Sequence, residues 1–274
     1  MDDAGLGYAA PARRVCARVC SAFMPTPTLS IEPIPCLRDN YAYLISDEDT
    51  GDAWLVDPSE PGPPGAVLRR RGLRLRGILA THHHLDHVGG ISTLLDQHRN
   101  VWVAGHARDS GRIPRQTILV DAPAENFVTT EIKLGRAELQ AMYIPGHTLG
   151  AIAWYLPNEG ALAGDVFTGD TLFAAGCGRL FEGSPTQMHT SLQRLVALPP
   201  ETRLWFGHEY TEANLRFAAA IEPDNAAVTA RAADRRICTT PTTVALELAT
   251  NPFVRAASAE VLAERRQAKD EFRG

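Results

Sequence analysis

Four potential metal ligands fall within six residues of this chain, in the run Thr81-His82-His83-His84-Leu85-Asp86-His87. The run follows directly on Leu75 to Thr81, an apolar stretch that reads as a buried strand. Imidazole and carboxylate in this mixture suit zinc and its first-row neighbours. So dense a cluster constrains the fold, because neighbouring histidines repel one another when protonated and buried ones need partners for their ring nitrogens. If the strand continues through His82 and His84, their side chains point to one side and reach one metal, and His83 points away as a non-ligand. The chain then turns, and Asp86 and His87 face a second point in space. One ion cannot readily take all four ligands from so short a loop, so two adjacent metals are expected.

Further ligand candidates each follow an apolar stretch and a glycine: His147 after Pro145-Gly146, Asp170 after Gly169, and His208 after Gly207. Together with the first motif they give seven ligands, enough for two sites sharing one carboxylate. His98 falls on the apolar face of a helix and reads as a packed or half-exposed histidine, while His106 and His189 lie in polar surroundings and read as surface residues. Two close metals make hydroxide available near neutral pH, because a bound metal lowers the pKa of water to about 7, and one metal polarises an acyl or phosphoryl oxygen. The expected chemistry is hydrolysis by metal-activated hydroxide. No Gly-x-Ser-x-Gly elbow supports a serine nucleophile.

The 274 residues, 45% hydrophobic and 22% charged, have an ordinary globular composition. A net charge of −5 argues against general nucleic-acid binding, and no apolar run reaches membrane-spanning length. Five scattered cysteines suggest a reducing compartment without a disulfide framework. Cytoplasmic location and a monomer are the expected states. Cys177 reads as a packed small residue, and Cys16 and Cys20 lack the second pair that a metal site would need. Only two lysines occur, Lys133 and Lys269.

Residues 1–28 read as a dispensable or disordered leader. From Leu29, strands dominate: Ile31 to Ile34, Asn40 to Ile45, Ala53 to Val56, Leu75 to Thr81, Val101 to Ala104, Ile132 to Leu134, Leu139 to Ile144 and Ala151 to Leu156. Helices are expected over Ala66 to Arg71 and after Gly89-Gly90, where Ile91, Leu94, Leu95 and His98 recur at helical spacing. Strands mixed with helices suggest a layered α/β domain over 29–208. After His208 the texture becomes helical, with Asn214 to Ile221, Ala226 to Arg236 and Ala257 to Phe272, so 209–274 is expected to be a small all-helical domain.

The ligand series in this order resembles the metallo-β-lactamase superfamily, and more narrowly the glyoxalase II (hydroxyacylglutathione hydrolase) family. The narrower likeness rests on Ile34 to Leu44, Thr168 to Phe173, Gly176 to Gly183, Gly207 to Thr211, Asn251-Pro252-Phe253 and Arg266-x-x-Lys269-Asp270, over about residues 30 to 272. The resemblance implies a four-layer αββα sandwich with a C-terminal helical domain. It implies one metal on His82, His84 and His147, a second on Asp86, His87 and His208, and Asp170 bridging. Zinc is the expected ion, with iron or manganese as alternatives. The implied reaction is hydrolysis of S-D-lactoylglutathione to glutathione and D-lactate, in methylglyoxal detoxification. The alternative is another enzyme on the same fold, such as a lactonase or a persulfide dioxygenase.

The implied glutathione contacts are Arg179, Phe181, Tyr210, Arg266 and Lys269. Glutathione carries two carboxylates, so an acidic protein needs a local basic patch to hold it, and Arg266 and Lys269 share a helix face. Phe181 stands where some members have tyrosine, and Ile91 where members commonly have asparagine.

Overall fold

The computed structural model describes residues 29–157, 163–234 and 236–273, so the expected leader at 1–28 lies outside the described residues. The first sheet runs β1 (Leu29–Cys36), β2 (Asn40–Asp47), β3 (Asp52–Val56), β4 (Arg74–Leu79), β5 (Trp102–His106) and β6 (Ile118–Val120), in that spatial order. β1 to β3 pair antiparallel and β3 to β6 parallel. The second sheet contains β7 (Val128–Leu134), β8 (Ala137–Tyr143), β9 (Ile152–Leu156), β10 (Asp165–Gly169), β13 (Arg203–Phe206) and β14 (Thr242–Thr243), ordered β14-β13-β10-β9-β8-β7. β11 (Leu172–Phe173) and β12 (Gly176–Cys177) form a separate hairpin.

Helices cover both outer faces. β2 shows why: every one of its residues is buried. Tyr41, Tyr43 and Ile45 join a core between the sheets with Trp54, Leu79, Trp154, Phe167 and Phe206. Ala42 and Leu44 alternate onto the other face and pack with Val67 and Leu68 of α1 (Gly62–Arg71), Val88 of α2 (Leu85–Val88), and Ile91 and Leu94 of α3 (Ile91–Gln97). A strand buried on both faces reads as a nearly continuous apolar run. Behind the second sheet, α4 (Pro185–Leu195), α5 (Thr211–Ile221), α7 (Val244–Thr250) and α8 (Ala259–Glu271) contribute Leu192, Phe217, Val244 and Leu262 to a third core; α6 (Ala226–Ala233) lies beside α5 and α7. The result is the expected four-layer αββα sandwich with helical C-terminal elements.

Several expectations need correction. The region after His208 is not purely helical, because β14 pairs with β13 and extends the second sheet. The helix expected to reach Arg236 ends at Ala233. Ser184, Pro185 and Gln187 form a capping box that starts α4, a signal present in the sequence and not used. Ile91 is wholly buried at the start of α3, so this departure from the family pattern serves the outer core rather than the metal loop.

Candidate metal centre and substrate cavity

Five of the seven ligand candidates follow strands of the two sheets, Asp86 and His87 lie on α2, and all meet where the sheets face each other. β4 ends at Leu79, and Thr81 is then fixed by Asp57, whose Oδ1 accepts the Thr81 amide at 2.7 Å and whose Oδ2 accepts the Thr81 hydroxyl at 2.5 Å. Asp57 adopts a left-handed backbone conformation (φ 48°) just beyond β3. Its Oδ2 also lies 2.9 Å from His87 Nδ1. The carboxylate only accepts there, so His87 Nδ1 carries the proton and Nε2 presents its lone pair inward. Comparable contacts orient two other rings. His147 Nδ1 donates to the Arg179 carbonyl at 2.8 Å, and His208 Nδ1 lies 2.9 Å from Asp39 Oδ1.

Two ligand groups result. Candidate ligand atoms of His82, His84 and His147 lie within 4.8 Å of one another, and so do those of Asp86, His87 and His208. Between them sits Asp170, with Oδ1 at 3.2 Å from His87 Nε2 and Oδ2 at 3.5 Å from His147 Nε2 and 3.3 Å from His208 Nε2. A third combination, Asp57 with His82 and His87, is also compact. Both oxygens of Asp57 are already engaged by Thr81 and His87, which makes it an orienting residue. Asn40 acts similarly on Asp86, donating to its carbonyl at 2.9 Å and lying 3.3 Å from its Oδ2.

These residues fit metal ions. His82 Nε2 and Asp170 Oδ1 are buried without a hydrogen-bond partner, a costly arrangement unless something fills the gap. A Cβ on Gly207 would strike Asp170 Oδ1 and reach 2.7 Å from His87 Cε1, so glycine alone keeps that space clear. For His82, His84 and His147 the electrostatics agree. Burial, reinforced by His147, pushes His84 down to about 4, and burial likewise keeps His82 and His147 below the usual histidine range. Neutral imidazole is the ligating form. Asp170 stays well below the ordinary carboxylate range despite its burial, because His87 and His208 face it. In the second group burial opposes a charge, yet the carboxylates outweigh it: Asp170 and Asp57 hold His87 above the usual histidine range, and Asp170 and Asp86 raise His208 to about 10, so both rings would release a proton on taking up a metal. The cluster can therefore hold metal ions.

His83 turns away from both groups, toward Asp109 at 3.1 Å, although the strand expected to carry this alternation ends at Leu79. His98 is half-buried at the end of α3. His106 was expected at the surface and is instead buried, stacked on Tyr143 with ring centres 4.6 Å apart, because β5 carries it under the second sheet. His189 is half-buried, with Nε2 at 3.0 Å from the Ala256 carbonyl.

Five of the candidates, His84, Asp86, His147, Asp170 and His208, floor a cavity of about 570 Å³. Its walls bring together all five residues expected to touch glutathione: Arg179, Phe181, Tyr210, Arg266 and Lys269. Tyr210 stacks on His208 at 4.8 Å, and Phe181 sets its edge toward His84 and His147. Arg266 is buried, donates to the Cys177 carbonyl at 2.8 Å and lies over Phe253. Asp270 holds two of the cations, at 2.9 Å from Arg266 and 3.3 Å from Arg179. Cys177 is packed small, as expected, and burial raises its thiol to about 11. The sequence reasoning missed Asp39, Asn40, Asp57 and Asp270 as supports. Three of them lay inside motifs already singled out, and Asp57 marks a strand end beside the metal loop.

Two sheets sandwiched by helices, with histidine and aspartate ligands gathered at strand ends, define a metallohydrolase of the metallo-β-lactamase type. Residues 37–208 match the Metallo-beta-lactamase superfamily, and residues 209–272 match the Hydroxyacylglutathione hydrolase C-terminus. Among similar sequences is the hydroxyacylglutathione hydrolase of Thermosynechococcus vestitus, 45% identical over 83% of this chain and 88% of that protein. Similar solved structures include ETHE1 from Myxococcus xanthus (27% identity, TM-score 0.64, 87% of this chain and 90% of that one). A protein crystallised in a di-iron-bound form is 30% identical, with a TM-score of 0.55 over 81% of this chain and 99% of that one. This chain belongs to the hydroxyacylglutathione hydrolase family. Among the described residues no helix is long and apolar enough to cross a membrane.

Proposed function

We propose that this enzyme hydrolyses the thioester of S-2-hydroxyacylglutathiones, with S-D-lactoylglutathione giving glutathione and D-lactate. The observation that carries this reading is the single cavity joining a metal-competent floor to a wall bearing Arg179, Tyr210, Arg266 and Lys269. His82, His84 and His147 would hold one divalent ion and Asp86, His87 and His208 a second, with Asp170 shared; the donor set suits zinc best, then iron or manganese. Bound there, the ions supply Lewis acidity and lower the pKa of water to about 7.

The rest falls to the chain's own side chains. Asp57, Asp39 and the Arg179 carbonyl fix the ligand tautomers from outside. Arg266 and Lys269 meet the carboxylates of the glutathione end, remote from the reacting carbon, and so hold the thioester over the floor. Water adds to the acyl carbon, the C–S bond breaks, and the sulfur leaves with a proton as glutathione thiol. In this reading residues 29–208 carry the chemistry and 209–274 the grip on glutathione, in a monomeric cytoplasmic protein. Buried, unpaired Cys36 and Cys177 support a reducing compartment.

The test is the loss of thioester absorbance on adding zinc-loaded protein to S-D-lactoylglutathione, with glutathione and D-lactate measured together. Equimolar appearance of both is expected. No turnover by protein shown to hold its metal would refute the proposal.

A further inference from the structure

We infer that His83, Asp109, Arg112 and Glu182 form a positioning clasp that locks together the two loops bearing His82, His84 and His147. None of the four is a ligand candidate, and the inference rests on the reading of those three histidines as one metal's ligands. Asp109 is wholly buried, where an apolar side chain would avoid the cost of desolvating a carboxylate. Its polar neighbours are His83 Nδ1 at 3.1 Å and Arg112 Nη1 at 3.6 Å, charge contacts rather than aligned hydrogen bonds, since neither Asp109 oxygen has a hydrogen-bond partner. Arg112 also contacts His83 Nε2 and donates to Glu182 at 2.5 Å.

Arginine only donates, so His83 Nε2 is the nitrogen that accepts from Arg112, and Nδ1 faces Asp109. The ring is thereby pointed outward. This matters because His83 stands between two ligand candidates, with its ring centre 4.9 Å from that of His84. Released, it would be a fourth imidazole competing for the same ion.

The clasp reaches the His147 loop twice. Glu182 Oε2 accepts the Leu149 amide at 2.8 Å, two residues beyond His147. The Asp109 carboxylate occupies the space where a Cβ at Gly150 would stand, so that loop and Asp109 fit only against each other. The four side chains therefore fix the separation of loops contributed by different sheets.

The experiment uses full-length, zinc-loaded protein and a competing chromophoric chelator, with zinc per chain counted independently. Asp109→Ala and Arg112→Met should each weaken one of the two ions by about 10- to 100-fold, the range typical of losing an outer support of a ligand, and leave the other within about twofold. Asp109→Asn, which keeps shape and an acceptor, should recover most of the loss. Arg112 is 43% exposed, so its variant folds even if Asp109→Ala does not. His147→Ala identifies the affected ion, since it should abolish the same release phase. Unchanged release of both ions in Asp109→Ala and Arg112→Met overturns the clasp, as does equal weakening of both with a matching loss of apo-protein stability. If His147→Ala still holds two ions, the underlying metal assignment fails instead.

Discussion

With Lys269 gripping a glutathione carboxylate as proposed, substrate binding should depend on pH in a way that follows from the residue's surroundings. Its ammonium donates to the Ala213 carbonyl at 2.7 Å and lies 5.3 Å from the Phe217 ring centre and 5.8 Å from that of Phe272. Burial, then the nearby Arg266 and Arg216, lower it from the ordinary lysine value to about 8, with Asp270 opposing. The charge is therefore present below pH 8 and lost above it. About nine-tenths of the chains carry it at pH 7 and about one-tenth at pH 9, so if only the charged form grips the carboxylate, KM rises about tenfold over that interval. The effect belongs to KM, because saturating substrate recovers the protonated form and leaves kcat unchanged. The assay is thioester loss at a series of substrate concentrations from pH 6.5 to 9.5. Lys269→Arg should give a KM flat with pH, and Lys269→Met a KM high at pH 7 that lacks the wild-type rise. Any titration of the substrate itself persists in Lys269→Met, so the difference between the two curves isolates the lysine. A wild-type KM that does not change, or a rise fully retained in Lys269→Met, would refute the reasoning.

In the proposed reading Arg266 grips the substrate far from the reacting carbon, so Arg266→Ala should mainly raise KM. It also strands the Cys177 carbonyl, so stability should fall by about 2 kcal/mol, or about 4–8 °C in Tm for a chain of this size, read by thermal unfolding without substrate. An unchanged KM would count against the glutathione wall. Asp170→Ala should lower the content of both metals, since its two oxygens face His87 on one side and His147 and His208 on the other. Retention of two ions per chain, counted by elemental analysis, would disprove the shared position.

Much of this was legible in the sequence because the signals were local. The periodicity of His82 and His84 at a strand end, and the glycine before each later candidate, follow from backbone geometry within a few residues. β2 was legible because burial on both faces leaves an unbroken apolar run. What escaped depends on contacts between distant segments. His106 looked exposed from its polar neighbours in sequence, but Tyr143, from the other sheet, covers it. Asp57 and Asp109 are separated from their histidine partners by about two dozen residues or more, and no spacing rule ties them. β14 is two residues long, too short for any period, and exists only because β13 offers an edge.

The placement of the ligands on two sheets also sets the order in which the site can come into being. His87 and His208 face each other at 3.3 Å but are 121 residues apart in the chain. At about 5–20 residues per second, the ribosome takes about 6–24 s to deliver the second after the first. For that time the newborn chain carries the first sheet's candidate ligands without His208 to complete the second group. A cell that controls which metal is available during those seconds thereby influences which metal the finished protein carries.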